Sequence, residues 1–106
     1  MIIYEVNIEL NPEIVNEYDE WLDGHIEQML QFEGFISAQK LNSIEGEQYF
    51  LTVQYNVKTQ EDLDRYLRNH AEKIRNEGLN LFKDNFKAHR RIMKIIRSYP
   101  QISTSN

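Results

Sequence analysis

The sequence begins with a pattern typical of a strand, which is followed directly by a pattern typical of a long helix. This succession limits the folds that the chain can adopt. Residues 2–10 alternate in hydropathy with the period of two that a strand with one covered face requires. The covered face would carry Tyr4, Val6, Ile8 and Leu10, and the other face Ile3, Glu5, Asn7 and Glu9. Asn11 then offers an N-cap and Pro12 a first helical residue, while Gly34 follows the last periodic position. This pattern predicts a strand followed by a helix over residues 12–32.

The predicted helix has one apolar stripe, and the only tryptophan of the chain lies on it. At about 100° per residue the stripe covers an arc of about 140°. It contains Ile14, Val15, Tyr18, Trp21, Leu22, His25, Ile26, Met29 and Phe32, whereas the acidic residues lie outside it. His25 is therefore predicted to be buried beside Trp21, one helical turn away.

Three further strands and a second helix are predicted downstream. Residues 35–44 and 48–57 read as a hairpin joined through Glu45 and Gly46. Thr59 and Asp62 mark the start of a helix over about 60–76, whose apolar arc includes His70. A short helical turn is expected within residues 79–86 and a last strand over 90–97. Residues 99–106 are expected to form a flexible tail.

The predicted order of elements is β, α, β, β, α, β, which defines an α+β fold. Two split βαβ units with right-handed crossovers give a ferredoxin-like βαββαβ sandwich, a four-stranded antiparallel sheet with two helices on one face. A length of 106 residues supports one domain, predicted here to cover residues 1–98.

Composition excludes several classes of function. The formal net charge of −5 argues against nucleic acid as a main partner, because a phosphate backbone is bound through clustered Lys and Arg. There are no cysteines, and hence no disulfide framework, thiolate metal site or cysteine nucleophile. No apolar run is long enough to span a bilayer or to serve as a signal peptide, so we expect no membrane partner and a cytoplasmic location.

One face of the predicted sheet carries no helix. It is expected to present Ile3, Ile36, Ala38, Phe50, Ile92 and Ile96 among Glu5, Asn7, Glu9, Lys40, Gln54, Arg90 and Lys94. Such a face is too apolar to remain in water and too polar for a dry core. A second copy laid against it would cover the aliphatic residues and bring Glu5 and Glu9 near Arg90 and Lys94. We therefore predict a homodimer through the open sheet face.

Six segments, in this order, carry a resemblance to a known family: MIIYEVNI, WLDGHIEQML, EGFISAQKL, LTVQY, LDRYL and RRIMKII. Together they cover nearly all of residues 1–97, and they resemble an uncharacterised bacterial family of dimeric α+β-barrel proteins known only as a domain of unknown function. The resemblance implies a dimeric α+β barrel with any pocket between helices and sheet. Its superfamily also contains cofactor-independent monooxygenases, haem-degrading monooxygenases and isomerases, so the fold alone implies no particular reaction.

The haem-degrading branch is similar in placing a histidine on the second helix, as His70 would be, and an asparagine on the first strand, as Asn7 would be. The chain departs from that branch in two respects. Asn7 points by parity away from the helices, and Trp21 lies on a helix instead of a strand. No cofactor is therefore predicted.

His25 and His70 are the candidate catalytic residues, and each has a structural alternative as a neutral core histidine bonded to a carbonyl or a tyrosine hydroxyl. A shared metal site is not predicted. The two helices are expected to run antiparallel, which would place the two histidines about 8 Å apart along the axis, and no third ligand has suitable spacing. The side chains expected to line a ligand-binding space between helices and sheet are Tyr4, Tyr18, Trp21, Tyr55 and Tyr66.

Two functions remain open from the sequence. The first is a small dimeric protein that binds an apolar or aromatic small molecule between helices and sheet, without established catalysis. The alternative is a cofactor-independent monooxygenase or isomerase that uses His25 or His70 to carry a proton. Whether the chain is an enzyme is left undecided by the residues alone.

Overall fold

The computed structural model describes residues 1–46 and 49–102, so residues 47–48 of the predicted hairpin and 103–106 of the predicted tail lie outside the described residues. Its strands are β1 (Ile2–Leu10), β2 (Phe35–Asn42), β3 (Phe50–Val57) and β4 (Phe86–Lys94). Its helices are α1 (Val15–Met29), α2 (Gln60–Asn69) and α3 (Ala71–Phe82). The strands form one antiparallel sheet in the order β2-β3-β1-β4, which is the predicted ferredoxin-like arrangement.

The start of the first helix follows the predicted signals with one difference. Asn11 accepts a hydrogen bond from the Glu13 amide, and Pro12 opens a single 3-10 turn over Pro12–Ile14 before α1 begins at Val15. At the other end, Gly34 has a φ of 85°, which favours glycine. The helix is therefore shorter than predicted but is bracketed by the same residues.

The second predicted helix is two helices. Thr59 caps α2 through a bond from the Asp62 amide, as expected, but the helix breaks at His70, which has a φ of −130°. α3 then continues to Phe82 and absorbs the predicted short turn. As a result His70 is exposed, and the prediction that it is buried is wrong.

A β-bulge corrects the predicted facing of β2. The register shifts between Phe35 and Ser37, so Ala38 and Lys40 lie on the helix side of the sheet and not on the open face. Lys40 accordingly reaches α1, where its Nζ donates to Asp19 and Asp23 at 2.7 and 2.6 Å.

The facing of β4 is also opposite to the prediction. Glu5 pairs with Arg91 and Val6 pairs with Arg90 across β1 and β4, so Arg90 shares the helix side with Val6. Ile92 and Lys94 have the same parity as Arg90. β4 is an edge strand, and most of its residues on the helix side are exposed. These residues include charged side chains, so their sequence pattern is typical of a face in contact with solvent.

The open face carries a row of polar side chains that crosses all four strands. Glu5, only 4% exposed, accepts hydrogen bonds from Arg91 on β4 and from Gln54 on β3, and Gln54 in turn accepts from Gln39 on β2. These bonds lower the pKa of Glu5 to about 2, with Arg91 as the main cause and Gln54 next. A buried carboxylate is tolerated here because its partners are supplied within the same chain.

The core lies on the other side of the sheet, between β1, β3 and the helices. Its most enclosed side chains include Leu22, Met29, Val53, Val57 and Leu63. Two groups of aromatic rings flank them, one around Tyr66 and one around Tyr18. Within the residues described, no helix has the length and hydropathy needed to cross a membrane.

Candidate ligand-binding cavity

A narrow cavity lies between the sheet and the helices. Strands β1 and β3 form its floor, and α1, α2 and α3 form its walls. The volume open to the centres of water molecules is about 50 Å³, and the total space between atoms, which continues out to solvent, is about 470 Å³. The inner space is large enough for a few waters, and a larger occupant requires the lining side chains to move outward.

Four of the five side chains predicted to contact a ligand line this cavity: Tyr4, Trp21, Tyr55 and Tyr66. Tyr18 does not. It is buried beside the cavity, and its ring packs on Trp21 and Phe82 with centroid distances of 5.3 and 4.9 Å. Tyr18 thus supports the position of Trp21 from behind.

The three tyrosines of the cavity form one cluster. Tyr4 lies 6.1 Å from both Tyr55 and Tyr66, measured between ring centroids. Burial raises the pKa of Tyr66 to about 12, and burial likewise raises the pKa of Tyr55 above its usual value. Both phenols are therefore neutral near pH 7 and keep a proton that can be donated to a ligand.

His25 lies at the wall of the cavity against Trp21. The two rings stack at a centroid distance of 4.8 Å and an interplanar angle of 19°. Its Nδ1 is buried and has no hydrogen-bond partner among the described residues. Burial lowers the pKa of His25, Glu77 opposes this shift, and Arg90 adds to it. The imidazole is neutral at pH 7 and carries one unused nitrogen at the wall.

His70 lies elsewhere. Its ring contacts Phe32 at a centroid distance of 4.6 Å, in a shallow depression at the outer end of α2 near Glu33 and Arg65. The structure therefore does not bring the two candidate histidines into one site. Within the described residues there is also no group of three His, Asp or Glu side chains able to hold a metal ion.

Two arginines complete the cavity, and neither was predicted from the sequence to line it. Arg75 reaches in from α3, where its guanidinium donates to the Tyr4 hydroxyl at 3.0 Å. Its Nε is buried without a partner among the described residues. Arg90 approaches from β4. The parity that Arg90 shares with Phe86 and Ala88 was the available signal, since those apolar residues mark the helix side of β4.

The sequence of the chain matches one family model over residues 1–96, that of a domain of unknown function, DUF4286. The chain belongs to this family. No curated protein shows significant sequence similarity to this DUF4286 member. The family assignment agrees with the resemblance predicted from the sequence, and it brings no established catalysis.

Solved structures share its fold at low sequence identity. One is a candidate antibiotic biosynthesis monooxygenase from Deinococcus radiodurans, with a TM-score of 0.78, 9% identity, and coverage of 97% of this chain and 100% of that one. A second is a mutant of SnoaB, a cofactor-independent oxygenase from Streptomyces nogalater, with a TM-score of 0.73, 10% identity, and coverage of 94% and 98%.

A third is a conserved protein from Methanosarcina mazei, with a TM-score of 0.68, 23% identity, and coverage of 89% and 92%. At such identities the likeness establishes the fold and not the activity. This DUF4286 member is thus similar in architecture to antibiotic biosynthesis monooxygenases.

Proposed function

We propose that this DUF4286 member binds a small aromatic molecule in the cavity between its helices and sheet. The observation that carries the proposal is the lining, in which Tyr4, Tyr55, Tyr66 and Trp21 surround a space with polar groups at its wall. Cavities of this composition hold planar rings by contact with aromatic faces and orient them through a few hydrogen bonds. Trp21 and His25 are only partly buried, so their side chains can move to admit a ring.

Trp21 makes the proposal directly measurable, because it is the only tryptophan and it lines the cavity. Titration with 1-naphthol should change its fluorescence in a saturable way. Native mass spectrometry of the freshly purified protein should show any aromatic compound that co-purifies. A Val6→Phe variant, which fills the cavity from β1, should abolish the response.

The matched control is Ile14→Phe, at a half-buried residue that does not line the cavity. Ile14→Phe should bind as the unmodified chain does. Equal binding by Val6→Phe, or the absence of saturable binding in the unmodified chain, would contradict the proposal.

A second candidate function follows from the unpartnered nitrogen of His25. As a neutral base, His25 would accept a proton from an activated C–H or O–H group of the bound ring. In an isomerase the resulting anion is reprotonated at another carbon. In a cofactor-independent oxygenase it is oxidised by dioxygen, one atom of which enters the product while the other leaves as water. Loss of turnover in His25→Gln with ligand binding retained would support this candidate, whereas full turnover would exclude it.

We further propose that the open sheet face forms a homodimer in the cytoplasm. Phe50 and Leu41, which are 45% and 40% exposed, lie on this face beside the polar row, with Ile3 and Met93 half-buried near them. A second copy that removed these apolar residues from water would be favourable. It would not leave Glu5 unpaired, because the Glu5 carboxylate already has hydrogen-bond partners within its own chain. Sedimentation should give twice the chain mass of 12.7 kDa. Phe50→Glu should give the monomer, whereas Leu81→Glu, at an exposed leucine of α3, should not.

A further inference from the structure

The cavity has an excess of positive charge among its lining residues. Two guanidinium groups, Arg75 and Arg90, reach it, and no carboxylate lines it. Within residues 1–46 and 49–102, neither arginine takes part in an ion pair. Three cations elsewhere in the described residues, Lys40, Arg65 and Arg91, do contact carboxylates. Arg68 and Arg97 also have no ion pair among the described residues, but both are exposed and neither lines this cavity.

Arg75 is the more enclosed of the two. Its Nε is buried with no partner among the described residues, while its terminal nitrogen is held by the Tyr4 hydroxyl at 3.0 Å. A tyrosine oxygen is a neutral acceptor and does not balance the charge. A buried donor without a partner is costly, so an acceptor that reached the Nε of Arg75 would be bound favourably.

The neighbouring groups are oriented to donate. Because the Tyr4 oxygen accepts from Arg75, its own proton is free to go to a second acceptor. Arg75 and Arg90 both act on Tyr66, where they oppose the burial that raises its pKa. Glu77 is the carboxylate that acts on His25 and Tyr66, but it does not line the cavity. Donors and positive charge thus line one space that has no carboxylate in its lining.

We propose that the cavity selects an aromatic carboxylate, with Arg75 and Arg90 binding the anionic group and the aromatic side chains holding the ring. A carboxylate supplies two acceptor oxygens and one negative charge, which match the fork of a guanidinium. The unused Nε of Arg75 and the free proton of Tyr4 then both gain a partner. This inference rests on the proposed function, because it names the chemical class of the same ligand.

The test compares an acid with a neutral molecule of the same shape. 1-Naphthoate and 1-naphthamide are titrated into the unmodified chain while the fluorescence of Trp21 is followed. The acid should bind about tenfold more tightly, the ratio typical of one well-placed charged hydrogen bond. Raising the salt concentration should weaken binding of the acid and leave the amide unaffected.

Substitutions test whether the two arginines cause the preference for the acid over the amide. Arg75→Met and Arg90→Met should each reduce the preference to about threefold or less, whereas Arg68→Met, at an exposed arginine of α2, should retain it. The salt measurement needs no variant, so the test stands even if Arg75→Met folds poorly.

Each outcome separates this inference from the proposed function. Equal binding of acid and amide, or a preference that survives in both Arg75→Met and Arg90→Met, would overturn the anion assignment while ring binding stands. Failure of the acid, the amide and 1-naphthol alike would overturn both.

Discussion

The imidazole of His25 lies flat against the indole of Trp21, with 4.8 Å between the ring centroids, and its Nδ1 has no partner among the described residues. A buried polar atom without a partner is costly, so Nδ1 is expected to bond a water molecule or a ligand in the cavity that His25 lines. Neither a carbonyl nor a tyrosine hydroxyl of the described residues bonds Nδ1, and both the structural and the catalytic alternative for His25 stay predictions. His25 lines the cavity, so the second candidate function, in which it acts on an occupant, is the one that its variants test.

Replacing His25 should have a small effect on stability at neutral pH. His25→Gln loses the stacking on Trp21, worth about 1 kcal/mol, but no hydrogen bond of Nδ1. The pKa of His25 is lowered by burial, so the unfolded chain takes up a proton more readily and the folded state loses stability as pH falls from 6.5 through the folded pKa. The variant should lack this loss. Urea unfolding at pH 7.5, 6.5 and 5.5 measures the free energy of unfolding of the unmodified chain and of the variant. His89→Gln, which removes an imidazole from the open face of the sheet, is the control. A deficit of several kcal/mol at pH 7.5 would restore a structural role.

The contribution of Glu5 to the free energy of unfolding should depend on pH. Its pKa is about 2 when folded, against 4.5 for an ordinary glutamate, because it accepts bonds from Arg91 and Gln54. A lowered pKa gives stability that is fully present above pH 4.5 and is lost as pH falls toward 2. At pH 7, Glu5→Gln should lose about 1 to 3 kcal/mol, and its deficit should shrink between pH 4.5 and 2. Glu9→Gln, at an exposed glutamate of the same strand, should behave like the unmodified chain. A deficit that is constant with pH would contradict the assignment.

Gly34 should be intolerant of any side chain. Its φ is 85°, and a Cβ atom there would lie 2.3 Å from the Asp62 side chain, which helps to form the start of α2. Gly46 has nearly the same φ, 88°, but no atom of the described residues lies within 4 Å of an added Cβ. Gly46→Ala should therefore cost only the backbone strain, about 1 to 2 kcal/mol, and Gly34→Ala clearly more. Denaturant unfolding of the two variants gives the difference, and equal losses would show that Asp62 moves aside freely.

A side chain added at Gly78 of α3 should displace the ring of Trp21. A Cβ atom at Gly78 would lie 3.1 Å from the indole, so the ring must shift by a few tenths of an ångström. An added Cβ at Gly24 of α1 would have no described residue within 4 Å, and Gly24→Ala should stabilise the chain by about 0.5 to 1 kcal/mol through helix propensity alone. Gly78→Ala should lack this gain and should alter both Trp21 fluorescence and ring binding. The same stabilisation in both variants, with unchanged fluorescence, would contradict the packing described for Trp21.

Local patterns in the sequence determined much of the fold. The alternation of β1 was predicted correctly, since Tyr4, Ile8 and Leu10 are buried and Val6 is half-buried on the face expected to be covered. The proximity of Trp21 and His25 followed from their spacing of four residues on one helix. Such features are predictable because the repeat of a helix or strand fixes them without reference to the rest of the chain. The membership of an uncharacterised α+β family followed from the same segments.

Only the tertiary structure decided which residues meet at the cavity. The bulge after Phe35 turned Lys40 toward α1, and pairing with β1 turned Arg90 toward the helices. The break at His70 removed that histidine from the core, while α3 brought Arg75 to Tyr4, 71 positions away in the chain. Strand register and helix breaks depend on which partners an element packs against, and one residue of shift exchanges the two faces of a strand. The sequence therefore determined the scaffold and its aromatic lining, whereas packing decided the charge of the cavity.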